Sequence, residues 1–358
     1  MKNRSKDDIK KILVIRFRQI GDTILTTALC SSLKRSFPKT EVHMVLNEKI
    51  APVVQGHTDI DKIITFSPAE NSNIFKYMCK VWRVVHSENY DVIIDIRSTV
   101  RTLMFSLFSL FKLHTPLRVG HYKKYSWMFQ NINIPSACDD KDVVVHNQRF
   151  ADALSHIAPI VPVLDFTLYV SDEEKARYRE YMASKGIDFS RPVLLMGVTT
   201  KIAAKKWNIE YMKEVTRRIL DRYKELQIIF NFAPGAEAAE ARDIFASLGS
   251  PAAIKMDIEA PSLRDLMALC SNCTFYFGNE GGARHLVHAM GVPSYALFSP
   301  KAKKSQWLPQ NSTLARGIEV RDVVQDVSTL QLENKFDAVT PDIVCKELFP
   351  LLDEYVLG

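Results

Sequence analysis

Residues 11–38 read KILVIRFRQIGDTILTTALCSSLKRSFP, and the two ends of this stretch carry different periods. Its first part, 11–17, is an apolar, partly β-branched run with no helical spacing, which predicts a buried parallel strand. Its last part sets Ile24, Leu25, Ala28, Leu29 and Leu33 at helical spacing and stops before Pro38, which predicts a helix over 23–37. The tight segment between them, 18–22, lacks the G-x-G-x-x-G spacing of a dinucleotide fingerprint. The same alternation continues outward. Strand-like runs at 41–46, 62–66 and 92–96 are interleaved with helical patterns at 74–87 and 99–113. Such alternation predicts a parallel sheet with helices on both faces.

The middle of the chain, 118–162, is less regular, with a helix expected near 145–157 and a boundary suggested by Pro159 and Pro162. A second series follows. Strands are expected at 193–198, 227–232, 274–277 and 294–298, and helices at 208–223, 236–248, 262–271 and 281–290. The fold class is therefore α/β: two Rossmann-like domains with parallel sheets facing an interdomain cleft. The expected domains are 1–165 and 166–358, with the last helix packing back on the first. Ligands of such sheets lie beyond the carboxyl ends of the strands, which points to the residues after Phe17, Val198, Phe232 and Phe277.

Composition narrows the partners. With 47% hydrophobic and 25% charged residues, the 358-residue chain is neither disordered nor fibrous. Its 47 basic and 41 acidic residues give +6, which suits a phosphorylated ligand or an anionic membrane surface. Nucleic acid is disfavoured, since no basic run with interleaved aromatics appears beyond the charged start. Six scattered cysteines behind a polar first ten residues predict a reduced cytoplasmic setting. Cys270 and Cys273 form a lone C-x-x-C with no second pair, a weak zinc signal. The apolar run 103–113 is too short to span a bilayer and reads as a buried helix, with a membrane-surface role as the alternative. Only 13 residues are glycine, yet Gly278, Gly281, Gly282 and Gly291 crowd one short stretch, as if bare backbone were needed there.

Each strand end admits a plain reading and a chemical one. Asp22 can cap the following helix, or it can be a carboxylate that deprotonates a hydroxyl, with Gly21 allowing close access. Thr199, Thr200 and Lys205 sit before a helix, as solvated loop residues or as a phosphate site. Glu237 is a favoured first-turn acid or an acceptor of ribose hydroxyls. In Asn279-Glu280-Gly281-Gly282, a strand runs through glycines into a helix, a geometry that cradles phosphate through backbone donors. His285, one turn in, is either packing or part of that site.

Together these stretches, with TTKIAAKKW, PGAE and GNEGGARHLVHAMGVPSYALF, resemble glycosyltransferase family 9, the ADP-heptose:lipopolysaccharide heptosyltransferases. The resemblance implies the GT-B architecture, acceptor binding in the first domain and nucleotide-sugar binding in the second. It also implies inverting transfer without a metal or cofactor, the ADP-sugar being a substrate. By motif, Asp22 is the base; Thr199, Thr200 and Lys205 hold the donor pyrophosphate; and Glu237 meets the ribose. Asn279, Glu280, Gly281, Gly282 and His285 lie against the donor phosphates and sugar. Acceptor contacts fall on Arg18, Gln19 and Gly21, and more loosely on Arg97, Arg101, Arg118, His146 and Arg149. Asp59-Ile60-Asp61 reads as turn residues rather than as a metal-binding D-x-D.

Two departures stand out. Many members carry Asn-Asp-Ser/Thr-Gly where this chain has Asn279-Glu280-Gly281-Gly282. Members also often place a histidine four residues before an arginine, whereas His146 precedes Arg149 by three. The alternatives are a different nucleotide-sugar, a glycan acceptor outside the core, or a non-catalytic nucleotide-sugar-binding descendant. A lipid-linked acceptor implies a cytoplasmic enzyme at the inner leaflet, attached by charge. The basic start, Lys123, Lys124, Lys301, Lys303 and Lys304 are the candidate contacts.

Overall fold

In the computed structural model, which describes residues 5–136, 142–309, 312–330 and 334–357, the apolar runs become strands of two separate parallel sheets. Two units divide the chain, Met1–Tyr169 and Val170–Gly358. Of the basic start, residues 1–4 lie outside the described residues.

The first unit runs β1 (Lys11–Ile15), α1 (Ile20–Ser36), β2 (Glu41–Asn47), β3 (Lys62–Phe66), α2 (Pro68–Ser72) and α3 (Ile74–Ser87). It continues with β4 (Val92–Asp95), α4 (Leu103–Ser109), β5 (Leu117–His121), β6 (Ile132–Ile134) and α5 (Val143–Asp152). Its sheet order is β3-β2-β1-β4-β5-β6, every neighbouring pair parallel. β1 and β4 are buried because helices cover both faces of the sheet.

α1 is buried almost all round, which a surface helix is not. Its polar positions fit because their hydroxyls donate back to the helix: Thr26 to Asp22 O, Thr27 to Ile24 O, Ser36 to Ser32 O. Two serines of α1 also hold the connector. Ser36 Oγ and Ser32 Oγ accept from the amides of Val161 and Val163 at 2.9 and 2.8 Å. The proline-bearing segment therefore stays with the first unit.

The second unit begins with α6 (Asp172–Ser184), capped by Ser171 and Glu174 in a reciprocal box, and then β7 (Val193–Gly197), α7 (Ile209–Arg222), β8 (Gln227–Phe230) and α8 (Ala236–Ser247). It continues with β9 (Ile254–Lys255), α9 (Leu263–Ser271), β10 (Phe275–Asn279), α10 (Gly282–Ala289) and β11 (Ser294–Phe298). α11 (Lys304–Trp307), β12 (Ala315–Glu319), α12 (Val320–Val323) and α13 (Pro341–Leu352) complete it. The order β12-β11-β10-β7-β8-β9 repeats the first sheet's plan: the chain starts centrally, runs to one edge, then returns to build the other half. α13 buries Val344, Cys345, Leu348 and Leu352 in this unit's own core and so belongs to it.

In each sheet the strand order reverses beside the central strand, between β1 and β4 and between β7 and β10. A crevice opens at the carboxyl ends of such a pair. No helix among the described residues is long and apolar enough to cross a membrane.

Candidate functional site

At the first switch point, the end of β1 delivers Arg16 and the first turn of α1 delivers Asp22. Both side chains are buried, and Arg16 Nη2 donates to Asp22 Oδ1 at 2.7 Å. Burial pushes the Arg16 guanidinium down to about 10, against the pull of Asp22, so it remains a cation at neutral pH. Arg18 is half-exposed, with Nε 3.9 Å from Asp22 Oδ2, beyond hydrogen-bond reach. Gln19 is exposed at the helix start, and its side chain makes no cap bond; Gly21 lies in the first turn.

β4 supplies the facing wall. Arg97 Nη1 donates to Phe17 O at 2.5 Å, which ties the two strand ends together. Asp95 is fully buried and accepts from the amides of Arg97 and Ser98 at 3.0 and 2.8 Å; burial raises its pKa. Ser98 holds a left-handed φ of 46°, uncommon for a residue with a side chain. Its hydroxyl fixes that conformation by donating to Asp95 O and accepting from His121 N and Gln130 Nε2. Strain of this type is held where surrounding bonds over-determine it.

β5 and α5 close the rear. His121 at the end of β5 stacks on His146 of α5, ring centroids 5.4 Å apart. Arg149 follows half-buried on α5. Two expected contacts fall elsewhere. Arg118 lies near the start of β5, buried, its guanidinium donating to Phe129 O and Pro116 O, so it serves the 116–131 segment. Arg101 is exposed, donates to Asn71 O and lies over the Tyr77 ring.

The His121 imidazole is pushed down to about 4, first by burial and then by His146. A depressed base makes the unfolded chain bind more protons, so its contribution to stability is complete above about pH 6.5 and is lost as pH falls toward 4. Unfolding by urea at pH 7 and pH 5 should therefore show roughly 2 kcal/mol of acid destabilisation from this residue. In His121→Phe that part of the slope should vanish; an unchanged slope contradicts the assignment.

The second switch point is built on a close approach. Gly278 on β10 pairs with Gly197 on β7. A Cβ at Gly278, whose φ is +152°, would sit 2.4 Å from Gly197 O. Just beyond, Asn279 is buried and joins three segments: its Nδ2 donates to Gly197 O and Val198 O at 3.1 and 3.2 Å, and its Oδ1 accepts from Trp207 N at 2.8 Å. Asn279 thus fixes the loop between β7 and α7, where Lys205 lies.

Glu280 follows, buried. Its Oε2 receives Lys205 Nζ at 3.0 Å and its Oε1 receives Ser299 Oγ, at the end of β11, at 2.8 Å. On the other side, Thr199 Oγ1 reaches Glu237 Oε2 at 3.5 Å, and Thr200 is half-buried beside it. Glu237 stands in the first turn of α8, entered through Gly235 at φ 90°. The carboxyl ends of β7, β10 and β11 and the start of α8 thus place Thr199, Lys205, Glu237, Glu280 and Ser299 on one side of the sheet.

α10 starts at Gly282 behind the glycine cap Gly281, so no cap side chain accepts from its first amides. A helix start beside a lysine attracts an anion. His285, in the next turn, is buried with Arg284 Nη2 2.7 Å from Nδ1 and the Trp307 ring 5.8 Å away. Burial, then Arg284, His288 and Lys205, holds its pKa well below the usual histidine range, so it is a neutral imidazole.

The glycine cluster is therefore not uniform. Gly281 has extended backbone, φ 172°, and open space where a Cβ would go. Gly278→Ala should lower unfolding stability by about 2 kcal/mol or more through overpacking and strain. Gly281→Ser should leave it unchanged or raise it by a few tenths, ~0.3 kcal/mol, by capping α10. Denaturant melts of the two variants check this; equal losses would show that both positions need bare backbone.

Against known proteins, the family model described as glycosyltransferase family 9 (heptosyltransferase) matches residues 78–316. The chain belongs to glycosyltransferase family 9. It is thus a glycosyltransferase of a heptosyltransferase family. A lipopolysaccharide core heptosyltransferase, OpsX of Haemophilus influenzae, is 22% identical over 81% of this chain and 79% of its own. A family 9 crystal structure from Veillonella parvula aligns with 97% of this chain and 98% of its own, at TM-score 0.83 and 17% identity. The ADP-heptose lipopolysaccharide heptosyltransferase II of Escherichia coli aligns with 96% and 99%, at TM-score 0.74 and 19% identity. The expected α/β architecture of two Rossmann-like units is the fold of this family, GT-B.

Several residues at the family 9 switch points escaped the sequence reading. Arg16 ends an apolar strand with a charge, which was its only signal. Ser299 follows β11, where the strand-end rule, applied to one more strand, would have found it. Asp95 and Ser98 lie at the end of a run that was read as a strand, but the strand-end rule was not applied to it, and His121 sits in a segment whose strand character was unread. Elsewhere, Asp61 of the D-x-D accepts Lys34 Nζ at 2.8 Å and Val42 N at 2.7 Å, a structural use. Cys270 and Cys273 are buried thiols whose pKa values burial pushes up, and Cys273 donates to Leu269 O.

Proposed function

We propose that the protein moves a heptose, or a closely related sugar, from an ADP-activated donor to a hydroxyl of a lipopolysaccharide core acceptor, with inversion and without a metal. The observation that carries this reading is that each sheet bears charged chemistry at its own switch point. One has a buried carboxylate held by an arginine; the other has a lysine, hydroxyls and a helix start suited to a diphosphate.

Thr199, Thr200, Lys205 and the first turn of α10 hold the donor diphosphate, and Glu237 accepts from ribose hydroxyls. Glu280, through Lys205, and the neutral His285 border the sugar. In the first unit, Arg18, Gln19, Gly21 and Arg97 line the acceptor side, with His146 and Arg149 behind. Because Arg16 occupies Asp22 Oδ1, Oδ2 is the oxygen left to receive a proton.

Transfer is a single displacement. The acceptor oxygen attacks the anomeric carbon from the face opposite the phosphate and gives its proton to Asp22. The anomeric carbon–oxygen bond to phosphate breaks, and the diphosphate leaves with the electron pair. Lys205 and α10 meet its charge, the task a metal serves in other transferases. Glu280 and Asp61 support this assignment, since both carboxylates are already taken by lysines and by hydroxyl or amide donors.

One observation favours a second donor sugar within the same mechanism. Against the Asn-Asp-Ser/Thr-Gly pattern that the family resemblance implies, Glu280 is a methylene longer, and Gly281 leaves open space in place of a hydroxyl-bearing side chain. Titration calorimetry with ADP and UDP tests the base. ADP should bind about tenfold tighter or better, ~1.4 kcal/mol; tighter UDP binding overturns the ADP assignment.

A further inference from the structure

Most of the large apolar side chains that stand exposed among the described residues fall between 74 and 128, all in the first unit. Phe75 is 75% exposed, Phe111 67% and Met128 64%, and Leu113 is fully exposed. α3, which carries Phe75 and Trp82, packs against α4, which the chain leaves through Phe111 and Leu113. Trp82 on the outer face of α3 stacks on His86 at 3.8 Å and meets Phe108 and Phe111, at the end of α4, at 5.5 and 6.0 Å. The turn Trp127–Phe129 also packs against α4. The 103–113 run is thus buried on one face only; its end turns outward. An exposed apolar area of this extent marks an interaction surface.

Charge selects the partner. No acid occurs in α3 or anywhere in 96–136, whereas Lys76, Arg83 and Lys124 are exposed there. Neither Lys76 nor Arg83 is ion-paired among the described residues. The carboxylates that flank these segments in sequence are engaged: Glu70 by Lys80, Glu88 by Lys11 and Lys62, Asp91 by the amides of residues 10 and 11, and Asp95 by the amides of Arg97 and Ser98. Aromatic rings flanked by lysine and arginine and free of acids match an anionic phospholipid interface.

The surface also adjoins the candidate site. Lys123 Nζ donates to Arg97 O at 3.0 Å and Tyr125 OH to Ser98 O at 3.1 Å, so the segment carrying Trp127 and Met128 is tied to the turn after β4.

We propose that the α3–α4 face, with the Trp127–Phe129 turn, docks on an anionic phospholipid bilayer by inserting its aromatic and aliphatic side chains between headgroups. This deepens the proposed function and rests on it for its purpose: a lipid-linked acceptor then meets the first switch point from the membrane side. Of the lysines expected to meet a membrane, Lys124 is exposed in this stretch, whereas two others are engaged. Lys123 is held at Arg97 O, and Lys304 is paired with Asp322 at 2.7 Å.

The test is flotation of the full chain with vesicles of phosphatidylethanolamine and phosphatidylglycerol, or of phosphatidylcholine alone. The wild type should float with the anionic vesicles and bind the neutral ones about tenfold more weakly. The triple variant Phe75→Ser/Phe111→Ser/Leu113→Ser should lose about tenfold or more of its vesicle binding, with unchanged thermal unfolding and ADP affinity. Lys76→Glu/Arg83→Glu should lose most of the salt-sensitive part. Flotation of the triple variant at the wild-type level overturns the proposal. So does a wild type that ignores both vesicles, or variants whose only change is loss of self-association, which would make the face a protein interface. ADP binding separates the two readings: lost flotation with ADP bound defeats the docking surface alone, and intact flotation without ADP binding defeats the proposed function alone.

Discussion

Asp22→Asn is expected to fold and bind donor as the wild type does while losing about 10²–10⁴-fold in turnover, the usual worth of general-base help. The variant keeps the side chain's size and its oxygen toward Arg16 but removes the group that takes the acceptor's proton. Because Asp22 is buried beside Arg16, the substitution also leaves a guanidinium without its counter-charge, at a cost of about 1–3 kcal/mol. Turnover and unfolding must therefore be measured together. Near-normal turnover in a folded variant reduces Asp22 to a helix-start acid.

Lys205→Ala is the second large effect, with turnover falling about 10²–10³-fold because the departing diphosphate loses its preorganised cation. Glu280→Gln separates charge from placement. It keeps oxygen and nitrogen near Ser299 but releases the lysine, so a smaller loss, about tenfold, is expected from mis-set geometry alone. Lys205→Arg should recover only part of the rate, since a planar fork does not replace a point charge held at 3.0 Å from Glu280. If Lys205→Ala lowers donor affinity and turnover no more than Lys206→Ala does, Lys205 is a surface lysine and the diphosphate site is elsewhere. Lys206 is the right control, being already paired with Glu240.

The alternation of short apolar runs with helical spacing was enough to read most strands of both sheets, because parallel strands buried on both faces are mostly apolar. It failed where that condition lapses. β5 carries a buried arginine, satisfied by local carbonyls, and a glycine; β12 lies at an edge; β9 is two residues long. α1 was legible from its apolar spacing, but its burial on all sides was not, since threonine and serine there return their hydroxyls to the helix.

The candidate site shows the same division. Strand ends could be located, so Asp22, Thr199, Lys205, Glu237 and Glu280 could be named as candidates. Partners that meet only in three dimensions were not: Arg16 on Asp22, Ser299 on Glu280, His121 on His146. The glycine cluster also split on inspection. Gly278 is needed for strand approach, while Gly281 fills a cap position with room to spare.

The most direct test of the account is transfer itself. The purified protein is incubated with ADP-heptose and a heptose-less core acceptor, and the product is read by mass spectrometry and by the anomeric coupling in its NMR spectrum. One heptose should be added with inverted configuration, and Asp22→Asn should yield about 10²–10⁴-fold less product. A product of retained configuration, or equal transfer by Asp22→Asn, would contradict it.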